Sequence, residues 1–173
     1  MIYRAKLPLL RMSTSPIILR DEMGNHVGTM RRYYSTKKQR FLSFIFDNIV
    51  NNVHVFDKEG KLYADIQEIN TMKTLIKEKW NVRLGEESFV CETRTKLKTN
   101  PQFYYEKSNA KVWIKKDFAD RVTRFFIDQK VVAHVNIEGF LPPKSCHLTF
   151  TILDSRLDIY EVASLYYVFN LKY

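Results

Sequence analysis

The sequence predicts a mainly β protein, with antiparallel hairpins in series that close as a barrel or pack as a sandwich, and one buried C-terminal segment. Three observations carry this expectation. Most of the chain alternates apolar and polar residues with a period of two, as strands with one buried face do. The same punctuation recurs between the alternating segments. From Val162 onward the last stretch is apolar on every side, broken only by Ser164 and Asn170.

Alternating segments fall at 2–10, 16–20, 26–34, 41–47, 53–57, 61–68, 88–98, 103–106, 111–115, 121–127, 130–137 and 146–153. In the segment SFVCETRTKLK, Phe89, Cys91, Thr93, Thr95 and Leu97 share one face, and Val90, Glu92, Arg94, Lys96 and Lys98 share the other. Likewise Cys146, Leu148, Phe150 and Ile152 point inward against His147, Thr149 and Thr151. Tyr, Phe, Val, Ile and Thr dominate these runs, which suits a pleated, packed surface. LRDEMGNHVGTM, VFDKEGKLYADI, YYEKSNAKVWI and FIDQKVVAHV share one grammar of strand, acidic residue, turn formers and strand. Asp at the start of a turn bonds its own backbone, and Gly24, Gly60 and Asn109 tolerate positive φ. Such spacing predicts a barrel or a sandwich.

Two segments depart from the period of two. TMKTLIKEKW, 71–80, sets Met72, Leu75, Ile76 and Trp80 on one side at helical spacing, while KWNVRL reads equally well as strand. The C-terminal LDIYEVASLYYVFNL, 157–171, is either a helix buried all round or a buried strand. A helix without a polar face needs burial or a membrane, and ten residues rise only ~15 Å, about half a bilayer core. Burial inside the protein is therefore expected, with Asp154 or Ser155 capping the helix and Asp158 set against its dipole.

The 173 residues suffice for one domain, taken as 1–173, and include 28 Lys+Arg against 19 Asp+Glu. The N-terminal MIYRAKLPLLRM puts Arg4, Lys6 and Arg11 where a signal peptide needs an unbroken apolar run. No window approaches the ~20 apolar residues of a membrane span. The expectation is a cytoplasmic protein, at most peripheral at the inner membrane face. Cys91 and Cys146 lack disulfide-framework or metal-ligand spacing and read as inert core residues. No Gly-rich phosphate loop, nucleophile elbow or His pair at metal spacing is present, and His26, His54, His134 and His147 fall in separate strands. No enzymatic activity, cofactor or metal is expected.

The hairpin series, with Phe125-Phe-Ile-Asp128 leading into Lys130-Val-Val-Ala-His-Val135 and ending in DSRLDIYEVASLYYVFNL, resembles the LURP-one-related proteins. These belong to the superfamily that includes tubby C-terminal domains and phospholipid scramblases. The resemblance covers nearly the whole chain and implies a closed antiparallel barrel of about twelve strands around a central hydrophobic helix at about 157–171. Tubby domains bind phosphatidylinositol bisphosphate through basic residues outside the barrel, and scramblases are lipid-handling proteins with a calcium-responsive acidic segment before the terminal helix. The chain departs from the scramblases in lacking their Pro-rich N-terminal region and cysteine cluster. Asp154, Asp158 and Glu161 are a poor calcium site, because Arg156 and Leu157 intervene and no Gly makes the loop turn.

Charge directs attention to one region. Residues 1–40 carry nine basic and two acidic residues, whereas 132–173 carry three basic and four acidic. MRRYYSTKKQR holds Arg31, Arg32, Lys37, Lys38 and Arg40 without an acid between them. Arg offers a bidentate fork to phosphate oxygens and Lys a point charge. Arg94, Lys96 and Lys98 form a stripe on one strand face, and Lys115 with Lys116 closes another strand. The bland reading is that such lysines keep sheet surfaces soluble and unaggregated. The functional expectation is a non-enzymatic barrel that binds an anionic phospholipid membrane surface through Arg31, Arg32, Lys37, Lys38 and Arg40, extended by Arg94, Lys96 and Lys98. A nucleic-acid-binding barrel is the second expectation, using the same cations with outward members of the pairs Tyr33/Tyr34 and Tyr104/Tyr105 as stacking platforms. A protein-interaction or structural domain with an incidental basic surface is the third.

Overall fold

The computed structural model describes residues 1–37, 39–41, 51–69, 78–96, 99–138 and 147–173. Twelve strands follow in order: β1 Ile2–Lys6, β2 Ile17–Asp21, β3 His26–Tyr33, β4 Asn52–Asp57, β5 Leu62–Glu68, β6 Lys79–Leu84, β7 Glu87–Thr93, β8 Gln102–Lys107, β9 Ala110–Lys116, β10 Val122–Ile127, β11 Lys130–Glu138 and β12 His147–Ile152. Each pairs antiparallel with its sequence neighbours. β12 returns to β1, from Ile2↔Thr151 to Lys6↔His147, and closes the barrel. Closure leaves no strand edge to template aggregation, which a sandwich would have had to protect.

The turns form for the reasons their residues suggest. The Asp21 carboxylate accepts the Asn25 N–H at 2.8 Å, and that of Asp57 accepts the Glu59 and Lys61 N–H groups at 2.9 Å. Gly24 and Gly60 take φ of 84° and 81°. Where no Gly is available, Ser108-Asn109 and Asp128-Gln129 both carry two successive positive φ values, the mirror-image turn whose twist matches flanking strands.

One open alternative is decided here and two expectations need correction. KWNVRL is strand β6, paired with β5 and β7, so its alternation of Trp80, Val82 and Leu84 inward prevails over the helical spacing upstream. Residues 71–77 lie outside the described residues. β7 ends at Thr93, so Arg94 and Lys96 belong to the connection beyond it and no strand stripe forms. Phe41 is helical, and the rest of the 41–47 strand reading lies outside the described residues, as does Cys146.

The helix Ile159–Lys172 threads the barrel. Eight strands enclose a space that side chains alone fill; twelve leave a rod-shaped hole. An α-helix ~10–12 Å across fills such a hole while satisfying its own backbone, which a lone buried strand could not do. Val162, Ala163, Leu165, Tyr166, Tyr167, Val168, Phe169 and Leu171 are buried against the inward faces of the strands. Gly28 leaves room for this rod: a Cβ there would lie 2.6 Å from the Phe56 carbonyl oxygen and 2.8 Å from the Tyr160 ring.

The cap differs from expectation. Asp158, not Asp154 or Ser155, caps the helix, accepting the Glu161 N–H at 2.8 Å and the Tyr63 hydroxyl at 2.7 Å. Asp154 instead accepts the Arg156 N–H at 3.0 Å and pairs with its guanidinium.

Antiparallel order gives the barrel two unlike ends. At one, the hairpin pole, five short turns (β2–β3, β4–β5, β6–β7, β8–β9 and β10–β11) surround the helix start. At the other, the loop pole, the longer connections surround the helix end, where the Lys172 ammonium meets Glu78 and Arg11 donates to the Asn170 carbonyl at 3.2 Å. Acid at the helix start and cations at its end both complement the macrodipole.

Candidate anion-binding site

The described cations of the 31–40 cluster meet at the loop pole in a groove of about 330 Å³, lined by Thr14, Arg31, Arg32, Tyr33, Tyr34, Thr36, Lys37 and Arg40. β3 supplies Arg31 on its outward face. A helical turn then begins at residue 37, capped by Thr36, whose hydroxyl accepts the Gln39 N–H at 3.1 Å. Gln39 returns the favour by accepting the Ser35 N–H at 2.8 Å. The sequence carries the Thr36-x-x-Gln39 spacing of a capping box, which the strand reading of 41–47 passed over, although Gln39 takes the N–H of Ser35 and not that of Thr36. The turn sets Lys37 and Arg40 three residues apart on one helical face. Arg31, Lys37 and Arg40 are exposed and, among the described residues, are not ion-paired with an acid.

Arg32 corrects the site. Alternation along β3 turns it inward with Met30, and it is 0% exposed. Its guanidinium donates to the Arg11 carbonyl at 3.0 Å and lies 5.2 Å from the Tyr34 ring centroid. It forms the floor of the groove and ties the β1–β2 connection to the wall. A buried, engaged guanidinium cannot swing out to grip a surface ligand. Lys38 and Lys98 lie outside the described residues.

Arg94 and Lys96 share the loop pole but not the groove. Their connection follows β7, four strands round the wall from β3, about 19 Å at the usual strand spacing. Arg94 is also occupied, paired with Glu92 and 5.3 Å from the Tyr104 ring. The Lys115 ammonium lies over Trp113 and Phe126, at 4.9 and 5.4 Å.

The tyrosines expected to offer stacking faces are engaged within the chain. Tyr33 stacks on His54 at 3.6 Å, and its hydroxyl donates to Asp65 at 2.6 Å. Burial and that carboxylate hold its pKa well above the usual phenol range. Tyr104 leans on Trp113, and Tyr105 is buried. Of the histidines, His26 and His147 are exposed while His54 and His134 are half-buried, and burial lowers the pKa of His54.

Sequence reading also missed a buried charge. Glu161, read only as one member of a poor calcium site, is 0% exposed. It accepts the Tyr105 hydroxyl at 2.8 Å and the Lys107 ammonium at 2.6 Å, and Lys107 reaches Glu87 at 3.2 Å. Burial pushes the Glu161 pKa up, against the pull of Lys107 and Tyr105. Only the inward period of the terminal helix, placing residue 161 one turn before Leu165, could have signalled this. Asp154, Asp158 and Glu161 thus serve three separate partners and do not converge. Cys91 is buried, which raises its thiol pKa and keeps it protonated.

A family model described as the Tubby C-terminal like domain matches residues 3–173. No curated protein and no solved structure matches the chain.

Proposed function

The chain belongs to the tubby C-terminal-like family, and from that premise we propose that it is a non-enzymatic barrel that holds anionic phospholipid headgroups at the inner face of a cell membrane. One observation carries the reading: Arg31, Lys37 and Arg40 converge without acidic partners, among the described residues, on a groove that also presents the Thr14 and Thr36 side chains. Guanidinium forks, an ammonium and hydroxyls are the donors that phosphate oxygens accept from. The floor of the groove, Arg32, adds positive potential from beneath. The engaged tyrosines favour this reading over nucleic acid, because base stacking needs free aromatic faces.

Vesicle co-sedimentation tests it. Wild type is expected to pellet with phosphatidylserine-containing vesicles and to stay in solution with phosphatidylcholine alone. Each cation near an anionic surface contributes about 1 kcal/mol, so Arg31→Gln, Lys37→Gln and Arg40→Gln together weaken binding on the order of 100-fold. Equal partition of wild type on both vesicle types sinks the proposal. Preference for an oligonucleotide competitor over the anionic vesicles would point to the nucleic-acid barrel instead.

A further inference from the structure

Pairing between β1 and β2 covers only two positions, Tyr3↔Asp21 and Arg4↔Arg20, although β1 runs on to Lys6 and β2 begins at Ile17. Pro16, which has no N–H to give a ladder, stands just before β2. Where the pairing stops, a cavity of about 500 Å³ lies on the outside of the wall, bordered by Arg4, Lys6, Pro16, Ile18, Arg20 and Glu138. A second, of about 440 Å³, continues it past Lys6 among Pro8, Leu9 and Ser15, and Lys6 and Pro16 line both. Together they make a trough that follows β1 toward the loop pole. It shares no lining residue with the groove of Arg31, Lys37 and Arg40.

Charge in the trough is arranged at a cost. Arg4 and Arg20 are both exposed and stand directly opposite one another across the β1–β2 ladder. Like charges in that position are destabilising. Lys6, two residues on from Arg4, shares its outward face. Among the described residues none of the three is ion-paired with an acid, and Arg20 donates to the Gly24 carbonyl at 2.8 Å. Scattered lysines keep a sheet surface soluble, but that role does not call for two arginines in direct opposition. Apolar and acidic neighbours narrow the ligand further. Ile18 is 45% exposed beside these cations, and Leu9 is 67% exposed in the continuation. On the far side Glu138 stands opposite His147, which is itself opposite Lys6, and accepts the Thr149 hydroxyl at 3.1 Å.

We propose that this trough binds an extended acidic segment of a partner protein, with carboxylates on Arg4, Arg20 and Lys6 and an apolar side chain against Pro16, Ile18 and Leu9. Charge complementarity and spacing select this occupant. Arg4 and Lys6 lie roughly 6.7 Å apart along β1, the interval at which an extended peptide presents successive residues of one face. Acids at alternate positions therefore meet both cations at once, and the next position on that face falls in the apolar continuation. Arg4 and Arg20 together offer two guanidinium forks to the first carboxylate. A polyphosphate or a nucleic-acid backbone presents anions alone, which would face Glu138 and leave Ile18 and Leu9 in water. A peptide brings carboxylates, apolar side chains and main-chain N–H groups for Glu138 to accept.

The test is fluorescence anisotropy of a labelled peptide, Leu-Thr-Glu-Thr-Glu-Thr-Leu, whose sequence reads the same in both directions and so fits either strand polarity. Wild type is expected to bind it at low salt, and to bind the same peptide with Gln at both Glu positions at least about tenfold more weakly. The wall variant Arg4→Gln/Lys6→Gln/Arg20→Gln should also lose at least about tenfold, and Leu9→Ser/Ile18→Thr about threefold or more. The wall variant should melt no lower than wild type, because it relieves the opposed arginines, and this verifies its folding. Arg31→Gln/Lys37→Gln/Arg40→Gln should leave peptide affinity within about twofold, since the two sites share no residue. No binding of the Glu peptide by wild type, or equal binding of the Glu and Gln peptides, overturns the proposal and leaves the headgroup reading standing. Peptide binding lost in the Arg31/Lys37/Arg40 variant but kept in the wall variant overturns it and assigns acidic ligands to the other site. A wall variant that keeps the peptide but loses phosphatidylserine vesicles also overturns it, making the wall a lipid surface.

Discussion

Two glutamates show what burial does to a single residue. Glu161 sits inside the barrel with its charge answered by Lys107, and removing one partner strands the other. Lys107→Met should therefore cost about 2–4 kcal/mol in urea unfolding, at the low end because Lys107 reaches solvent on one side. Wild-type stability in that variant would mean that the carboxyl is already neutral. Glu68 carries a pH signature. Its carboxylate accepts the Asn51 N–H at 2.7 Å, yet burial raises its pKa from 4.5 to about 7, against the pull of that N–H, Lys172 and Arg32. Between those values the folded protein holds the proton more tightly than the unfolded chain does, so stability falls as pH rises through that window. The effect is on the order of 1–3 kcal/mol, and Glu68→Gln should abolish it, flattening the melting temperature between pH 5 and about 7.5. A variant whose profile matches wild type would assign the slope to other groups.

Among elements, the C-terminal helix decides the most. Its middle, Leu165, is 1% exposed, and among the described residues no other helix fills the bore. Leu165→Asp would bury an unpaired charge and is expected to prevent folding, read as loss of the cooperative melting transition and insolubility on expression. A soluble variant melting like wild type would show that the helix can leave the barrel without consequence. The helix was half legible in sequence. Its uniform apolarity announced burial, but Tyr, Val and Phe favour strands too, and only the resemblance to barrel-threading relatives favoured helix. β6 was ambiguous for the opposite reason, since the helical spacing of 71–80 ran into its first two residues.

At the scale of the molecule, the barrel is polarised along the helix. Five short hairpin turns occupy one end, and the described cations of the candidate site occupy the other. Binding should accordingly depend on which pole a charge sits at. Lys58→Gln/Lys61→Gln, in the β4–β5 turn at the hairpin pole, removes two positive charges and is expected to change vesicle affinity less than about threefold, since those charges lie beyond a Debye length of ~8 Å from the docked surface. A loss comparable to that from the groove variants would show that net charge, and not a site, drives adsorption.

Alternation, turn chemistry and the apolar terminus were enough in the sequence to specify strands, hairpins and a buried end, because those signals are local: a strand's two faces and an Asp turn are written within a few residues. The cationic run 31–40 was legible in the same way. Which of its members meet solvent was not. Arg31 and Arg32 are chemically alike and adjacent, and only the pleat of a closed sheet sends one outward and the other into the core. The same holds for Glu161, whose partner lies 54 residues away on β8. The tertiary structure also separated Arg94 and Lys96 from the groove, because distance round a barrel is set by strand order. Burial, partnership and convergence belong to the closed surface, and no local pattern encodes them.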